Sequence, residues 1–225
     1  MLTLTQLRTI AEKYAVGPVE EVENILKLHK FLLENPELFG WQPSKKKPNL
    51  NEEEGFEKFA IKYYSKRYEK VLYKDSATIP DEMVSKILKR YFNYSQEKLN
   101  LIKKEHQQSM TVENMVGDLL ERYIDSVLVN YGWIWCCASL VKKIDFIKFE
   151  NQKYRLIQIK NRNSSENSSS SAIRDGTTIE KWFRTYSYKS KTNWENFPDQ
   201  EHRSSLSEDG FVNYAENYFD NVIRS

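Results

Sequence analysis

Cysteine is scarce in this chain of 225 residues, and the two present, Cys136 and Cys137, are adjacent within an apolar run. Neighbouring cysteines are poorly placed to bridge each other, and no further cysteine supplies zinc spacing, so a disulfide framework and a zinc knuckle are excluded. Two buried free thiols are expected instead. Histidine is equally thin: His29, His106 and His202 are scattered and form no HExxH-like pair, which argues against a zinc hydrolase. No apolar run approaches the ~18 residues of a membrane helix. The start, Met1 to Gln6, has no basic region ahead of an apolar core, so no signal peptide is expected, and the chain reads as cytoplasmic.

What is present is the composition of a globular protein, 40% hydrophobic and 29% charged, with length for one large domain or two small ones. The net charge of +2 hides an uneven distribution. Residues 1–57 carry 7 Lys/Arg against 10 Asp/Glu, whereas residues 58–104 carry 12 against 5. A basic middle is compatible with one face binding a polyanion, and equally with solvated helix faces. Lys58, Lys62, Lys66, Arg67, Lys70 and Lys74 interleave with Tyr63, Tyr64, Tyr68 and Tyr73. An aromatic core with lysines in water explains that pattern better than a phosphate-gripping face.

Periodicity predicts helices over 3–15, 18–34, 52–73, 80–94, 96–107 and 112–130, the last with Thr111 as N-cap. After Gly132 the pattern turns strand-like over 133–141, 142–149 and 154–163, with a polar turn at Glu150 to Lys153. A short helix is expected from Thr177, carrying Lys181 to Arg184, and a final one over 208–223. Trp194 and Phe197 read as core anchors. Helices followed by strands with short connections give an α+β class.

The chemistry gathers in the two central strands. Asp145 stands among apolar neighbours, and Gln158 and Lys160, two apart, share one face of a strand. An acid, an amide oxygen and an ammonium at strand ends suit a divalent metal, a water and a scissile phosphate. The Ser/Asn-rich stretch from Asn163 to Ser171 has a linker's composition, yet it follows directly on Lys160, where a substrate-facing loop would sit.

Asp145 with Gln158-Ile159-Lys160 resembles the catalytic core of the PD-(D/E)xK nuclease superfamily, and Glu121 resembles its helix glutamate. More specifically, Glu113 to Glu121, Gly132 to Cys137, Gln158 to Arg174 and Glu180 to Thr185 are similar to the SinI/AvaII-type restriction endonucleases. The likeness is strong over roughly 110–198 and loose over the helical N-terminal half. It implies a restriction-endonuclease-like mixed sheet flanked by helices (α/β/α-like). Residues 1–108 would form a helical region for DNA binding or dimerisation, and 109–225 the nuclease core. It further implies a type II, Mg²⁺-dependent homodimer of a restriction-modification system, cutting double-stranded DNA at GG(A/T)CC.

Two departures stand out. Ile144 replaces the superfamily's proline, and Gln158 replaces its second acid, which lowers the negative charge available to a metal. Glu121 is the first candidate to restore that charge, and Glu166 the second. On this reading Glu121, Asp145, Gln158 and Lys160 are catalytic, with Asp145 and Glu121 holding metal. Asn161, Arg162, Asn163, Ser164, Asn167, Arg174, Lys181 and Arg184 are the candidates to contact DNA. Either Arg162 or Arg174 reads guanine, or the loop only supports Lys160 and contacts phosphate. The alternatives are a DNA-binding protein silenced by Gln158 and a structure-selective nuclease of the same fold.

Overall fold

Thr3 starts the first helix with a capping box: its hydroxyl accepts from Gln6 N–H, and Gln6 Oε1 accepts from Thr3 N–H at 2.9 Å. A computed structural model describes residues 2–42, 45–75, 81–163 and 178–223. The chain forms two compact units, Met1–Glu69 with Glu121–Ser225, and Lys70–Leu120. The helices are α1 (Leu4–Tyr14), α2 (Val19–Glu34), α3 (Glu53–Tyr68), α4 (Glu82–Phe92), α5 (Gln96–Leu128) and α6 (Glu208–Ile223). The strands are β1 (Ile134–Trp135), β2 (Phe146–Glu150), β3 (Lys153–Arg162) and β4 (Ile179–Thr185). Helix α5 crosses the boundary between the units.

In the first unit a four-stranded mixed sheet runs in the order β1-β2-β3-β4, antiparallel except for the parallel β3–β4 pair. The β2–β3 turn is set by Asn151 and Gln152, both left-handed (φ 50° and 63°), the geometry that matches strand twist in a two-residue hairpin. Helix α2 reaches the sheet through Phe31, whose ring meets Tyr154 edge-on at 4.7 Å. A second aromatic cluster joins Trp182 of β4 to Trp194 and Phe197, and Tyr123 of α5 to Trp194 and Phe211 of α6. Trp194 and Phe197 are thus buried anchors, as expected, and both cysteines are buried free thiols.

The lysine–tyrosine stretch of α3 resolves into a core. Tyr63 and Tyr64 are buried, and Arg67 is clamped between Glu21 Oε1 (2.9 Å) and Asp125 Oδ2 (2.6 Å). In the second unit, Asp81 caps α4 by accepting from Met83 N–H, and left-handed Asn93 ends it.

Four expectations need correcting. Helices 96–107 and 112–130 are one, because nothing between them breaks the backbone pattern, and Thr111 lies inside it rather than capping it. Helix α3 stops at Tyr68. Of 133–141 only Ile134–Trp135 is strand, since Ala138 and Ser139 turn left-handed (φ 61° and 53°). The helix over Lys181 to Arg184 is instead β4, where Ile179, Trp182, Phe183 and Thr185 favour a pleated surface and β3 supplies a parallel ladder. Thr177 and the Ser/Asn-rich stretch beyond Asn163 lie outside the described residues. Among those described, no helix is long and apolar enough to cross a membrane.

Candidate active site

Asp145 sits just ahead of β2, where the pairing is irregular. Its N–H donates to Ile157 O at 2.9 Å although Ile157 is already the register partner of Phe146. Two residues therefore oppose one, as in a β-bulge, a device that re-aims a side chain at a strand end. The Asp145 carbonyl accepts from Cys136 N–H at 2.8 Å, and its Oδ2 accepts from Ile159 N–H at 2.7 Å. Burial pushes the Asp145 carboxyl up from its ordinary pKa, while the Ile159 N–H, Lys160 and Lys143 pull it down.

Gln158 and Lys160 alternate onto one face of β3 and line, with Asp145, a cleft of about 590 Å³. The other walls come from Lys62 of the basic α3 stretch, from the start of the 142–149 run, and from within residues 40–42 and 138–141, in which the sequence marked no site. Gly40 N–H donates to Leu140 O and Lys142 N–H to Leu38 O, both at 2.8 Å, and Phe39 bridges Val141. This pairing carries Trp41 and Gln42 to the cleft, where Lys62 of α3, Ser139, Lys142 and Lys143 also stand. A Cβ at Gly40 would collide with the Ser139 carbonyl, so the close approach requires glycine. Ala138, Ser139 and Lys143 all line the cleft with left-handed backbone, the kind of local strain that concentrates at functional sites. A long-range pairing of residues 38–40 with 140–142 leaves no trace in local periodicity.

Glu121 is not among the cleft-lining residues. Its Oε2 accepts from Trp135 Nε1 at 2.8 Å, and Trp135 is the register partner of Phe146, next to Asp145. The charges of Glu121 and Asp145 both reach the buried Cys136 thiol, which burial and these carboxylates push well above its ordinary pKa. Asn161 and Arg184 alternate away from the Lys160 face and hold each other, Arg184 Nε donating to Asn161 Oδ1 at 3.0 Å. Arg184 also pairs with Glu208. Lys181 is the register partner of Gln158, and Asn163 Oδ1 accepts from Ser187 N–H at 2.9 Å. Arg162 lines a second cleft of about 570 Å³ with Thr185 to Thr192. Ser164, Glu166, Asn167 and Arg174 lie outside the described residues.

Comparison with known proteins places the chain in a family. The chain is 46% identical to the type II restriction enzyme Eco47I of Escherichia coli over 199 residues, 87% of this chain and 86% of that protein. It is 54% identical to the type II restriction enzyme SinI of Salmonella infantis over 143 residues, 63% of this chain and 62% of that one. The family model described as SinI restriction endonuclease matches residues 7–221. The bulged strand with Asp145, the Gln158-x-Lys160 strand and their helical cover all fall inside that match, and the chain belongs to the SinI restriction endonuclease family.

Proposed function

We propose that this enzyme is a type II site-specific endonuclease that hydrolyses double-stranded DNA at GG(A/T)CC with Mg²⁺, as a homodimer in a restriction-modification system. The observation that carries the reading is the cleft that collects Asp145, Gln158 and Lys160. Family membership and the names of the two relatives support site-specific DNA cleavage. The resemblance to the SinI/AvaII type supports the target sequence.

The donor set fits a hard cation. Asp145 and Gln158 offer a carboxylate and an amide oxygen, and no imidazole or thiol lines the cleft. Among the described residues no group of three or more His, Cys, Asp and Glu converges. Few protein ligands suit Mg²⁺, which keeps several waters and takes phosphate oxygens. When bound, such a cation polarises a phosphoryl oxygen and lowers the pKa of a coordinated water. Asp145 is the principal ligand in this reading and Gln158 a neutral oxygen donor. Glu121, outside the cleft lining, would have to leave its hydrogen bond with Trp135 to serve as the second carboxylate.

Lys160 has no ion pair among the described residues, and its charge favours the ionised form of Asp145. As a compact cation it orients the attacking water and offsets the charge that grows on the phosphate. Arg162, two residues beyond Lys160 on the same strand, is placed to follow the DNA outward from the cleft, and Arg174 is the other guanine-reading candidate. The amphipathic α4, with exposed Met83, Val84, Ile87, Tyr91 and Phe92, offers an apolar surface for self-association.

Digestion of a plasmid of known sequence tests the reading. Discrete fragments ending at GGACC and GGTCC are expected with Mg²⁺, with none in EDTA or after Lys160→Ala. Intact or smeared DNA from folded wild-type protein would overturn it.

A further inference from the structure

The cleft sets four lysines, Lys62, Lys142, Lys143 and Lys160, against one carboxylate, Asp145. Lys62 differs from the rest in origin, since it comes from α3 and lies far outside the stretch that resembles a nuclease core. Its basic neighbours on that helix are committed elsewhere: Lys58 to Glu54, Lys66 to Glu69, and Arg67 to Glu21 and Asp125. Lys62 makes no ion pair with any described residue. Its ammonium lies 4.6 Å from the centre of the Trp41 ring, and both side chains line the cleft. Burial draws its pKa below the ordinary lysine value, opposed by Cys137 and reinforced by Lys45.

A partly desolvated cation with no anionic partner is costly unless an anion arrives to share the site. The anion that this cleft takes, on the reading above, is a DNA phosphate. We propose that Lys62 is a substrate-contacting catalytic residue, its ammonium meeting the scissile phosphate from the α3 side of the cleft while Lys160 meets it from β3. Trp41 is the positioning residue: its ring holds the ammonium in place by a cation–π contact weak enough to yield to a phosphate. The inference rests on the nuclease reading and deepens it. It also gives the Gly40–Leu140 pairing a function, because that pairing delivers Trp41.

The test uses the full chain as wild type, Lys62→Met, Lys62→Arg and Lys160→Ala. Methionine keeps an unbranched stem over Trp41 and removes the charge. Single-turnover cleavage of a GGACC duplex in Mg²⁺ is read beside Kd for the same duplex in EDTA. K62M should lower the cleavage rate on the order of 10²-fold, the scale of one lost transition-state donor, while Kd rises less than about tenfold and K62R recovers part of the rate. In the wild type, where folding is not at issue, mass spectrometry should find Lys62 protected from acetic anhydride by the duplex. A K62M rate within about threefold of wild type, or unchanged acetylation, overturns the proposal. Should wild type cut and K160A not, while K62M cuts normally, the Lys62 assignment alone falls. Should the wild type cut no duplex at all, the nuclease reading falls with it.

Discussion

Ile159 gives its backbone N–H to Asp145 Oδ2 at 2.7 Å, so the carboxylate takes up a ladder donor beside the bulge at Asp145. The sheet thereby fixes the aim of the side chain. It also lets the function of the charge be separated from the function of the hydrogen bond.

Asp145→Asn should do this. The amide oxygen can still accept from Ile159, but the charge is gone, and cleavage should fall on the order of 10³-fold. Burial raises the folded pKa of Asp145, so between the ordinary and the raised value the folded chain binds the extra proton. Stability therefore falls as pH rises through that window, and the ionised carboxylate is a burden above it. The D145N protein should melt at the same or a higher temperature than wild type at pH 7.5 in EDTA, with the gap closing near pH 4. A lower melting temperature at pH 7.5 would mean that the charge itself stabilises the fold.

Gln158 carries the complementary prediction. Restoring an acid with Gln158→Glu adds negative charge beside Asp145, in a side chain only 2% exposed. Half-maximal cleavage should then need less Mg²⁺, by a factor on the order of ten. Without metal the added carboxylate stands beside the charge of Asp145 in a largely buried position, so the variant should melt below wild type in EDTA and recover with Mg²⁺. A Mg²⁺ titration that superimposes on the wild type would remove Gln158 from the metal's surroundings.

The central hairpin was legible because each of its signals is local. Alternation marks β2 and β3, a polar turn joins them, and Asp145 and the Gln158-x-Lys160 pair stand at their ends. Strand β4 was misread because Thr177 to Glu180 imitates a helix start, and only the neighbouring β3 ladder overrides it. The far wall of the cleft was invisible for a different reason. Trp41 reaches the cleft through the pairing of 38–40 with 140–142, a contact a hundred residues long in sequence, and Lys62 reaches it from α3, also distant from Asp145 along the chain. The expected aromatic core of α3 is there in Tyr63 and Tyr64, whereas Arg67 is buried between carboxylates instead of standing in water and Lys62 lines the cleft.

Arg67 is the element of α3 whose loss should unfold the most. It satisfies Glu21 and Asp125 with a side chain only 9% exposed, and it lies 5.7 Å from the centre of the Trp135 ring. Burial already pushes the Asp125 carboxyl up, with Arg67 the main force holding it down. Arg67→Met leaves two carboxylates without their cation, a change that typically costs about 3–5 kcal/mol. For a chain of this size that is a fall on the order of 10 °C in Tm. Lys58→Met, which breaks the exposed pair with Glu54, should leave Tm nearly unchanged. Equal shifts in the two variants would contradict the difference in burial.

Beyond the cleft, β3 ends at Arg162, and the loop after β4 places Lys189 and Tyr188 beside it. Tyr188 is 93% exposed, an aromatic ring left in solvent by a loop whose base is closed by the Thr185–Thr192 bridge. Lys191 and Arg184 in the same cleft already hold Glu195 and Glu208. If Lys189 meets phosphate, Lys189→Ala should weaken cognate and scrambled duplexes alike and reduce the salt slope by about one. If Arg162 meets a guanine edge, Arg162→Ala should cost about 1–3 kcal/mol on the GGACC duplex and little on the scrambled one. Anisotropy titrations of both duplexes across a salt series separate the two roles. Equal losses on both duplexes for R162A would make it a phosphate contact, and would leave guanine reading to Arg174.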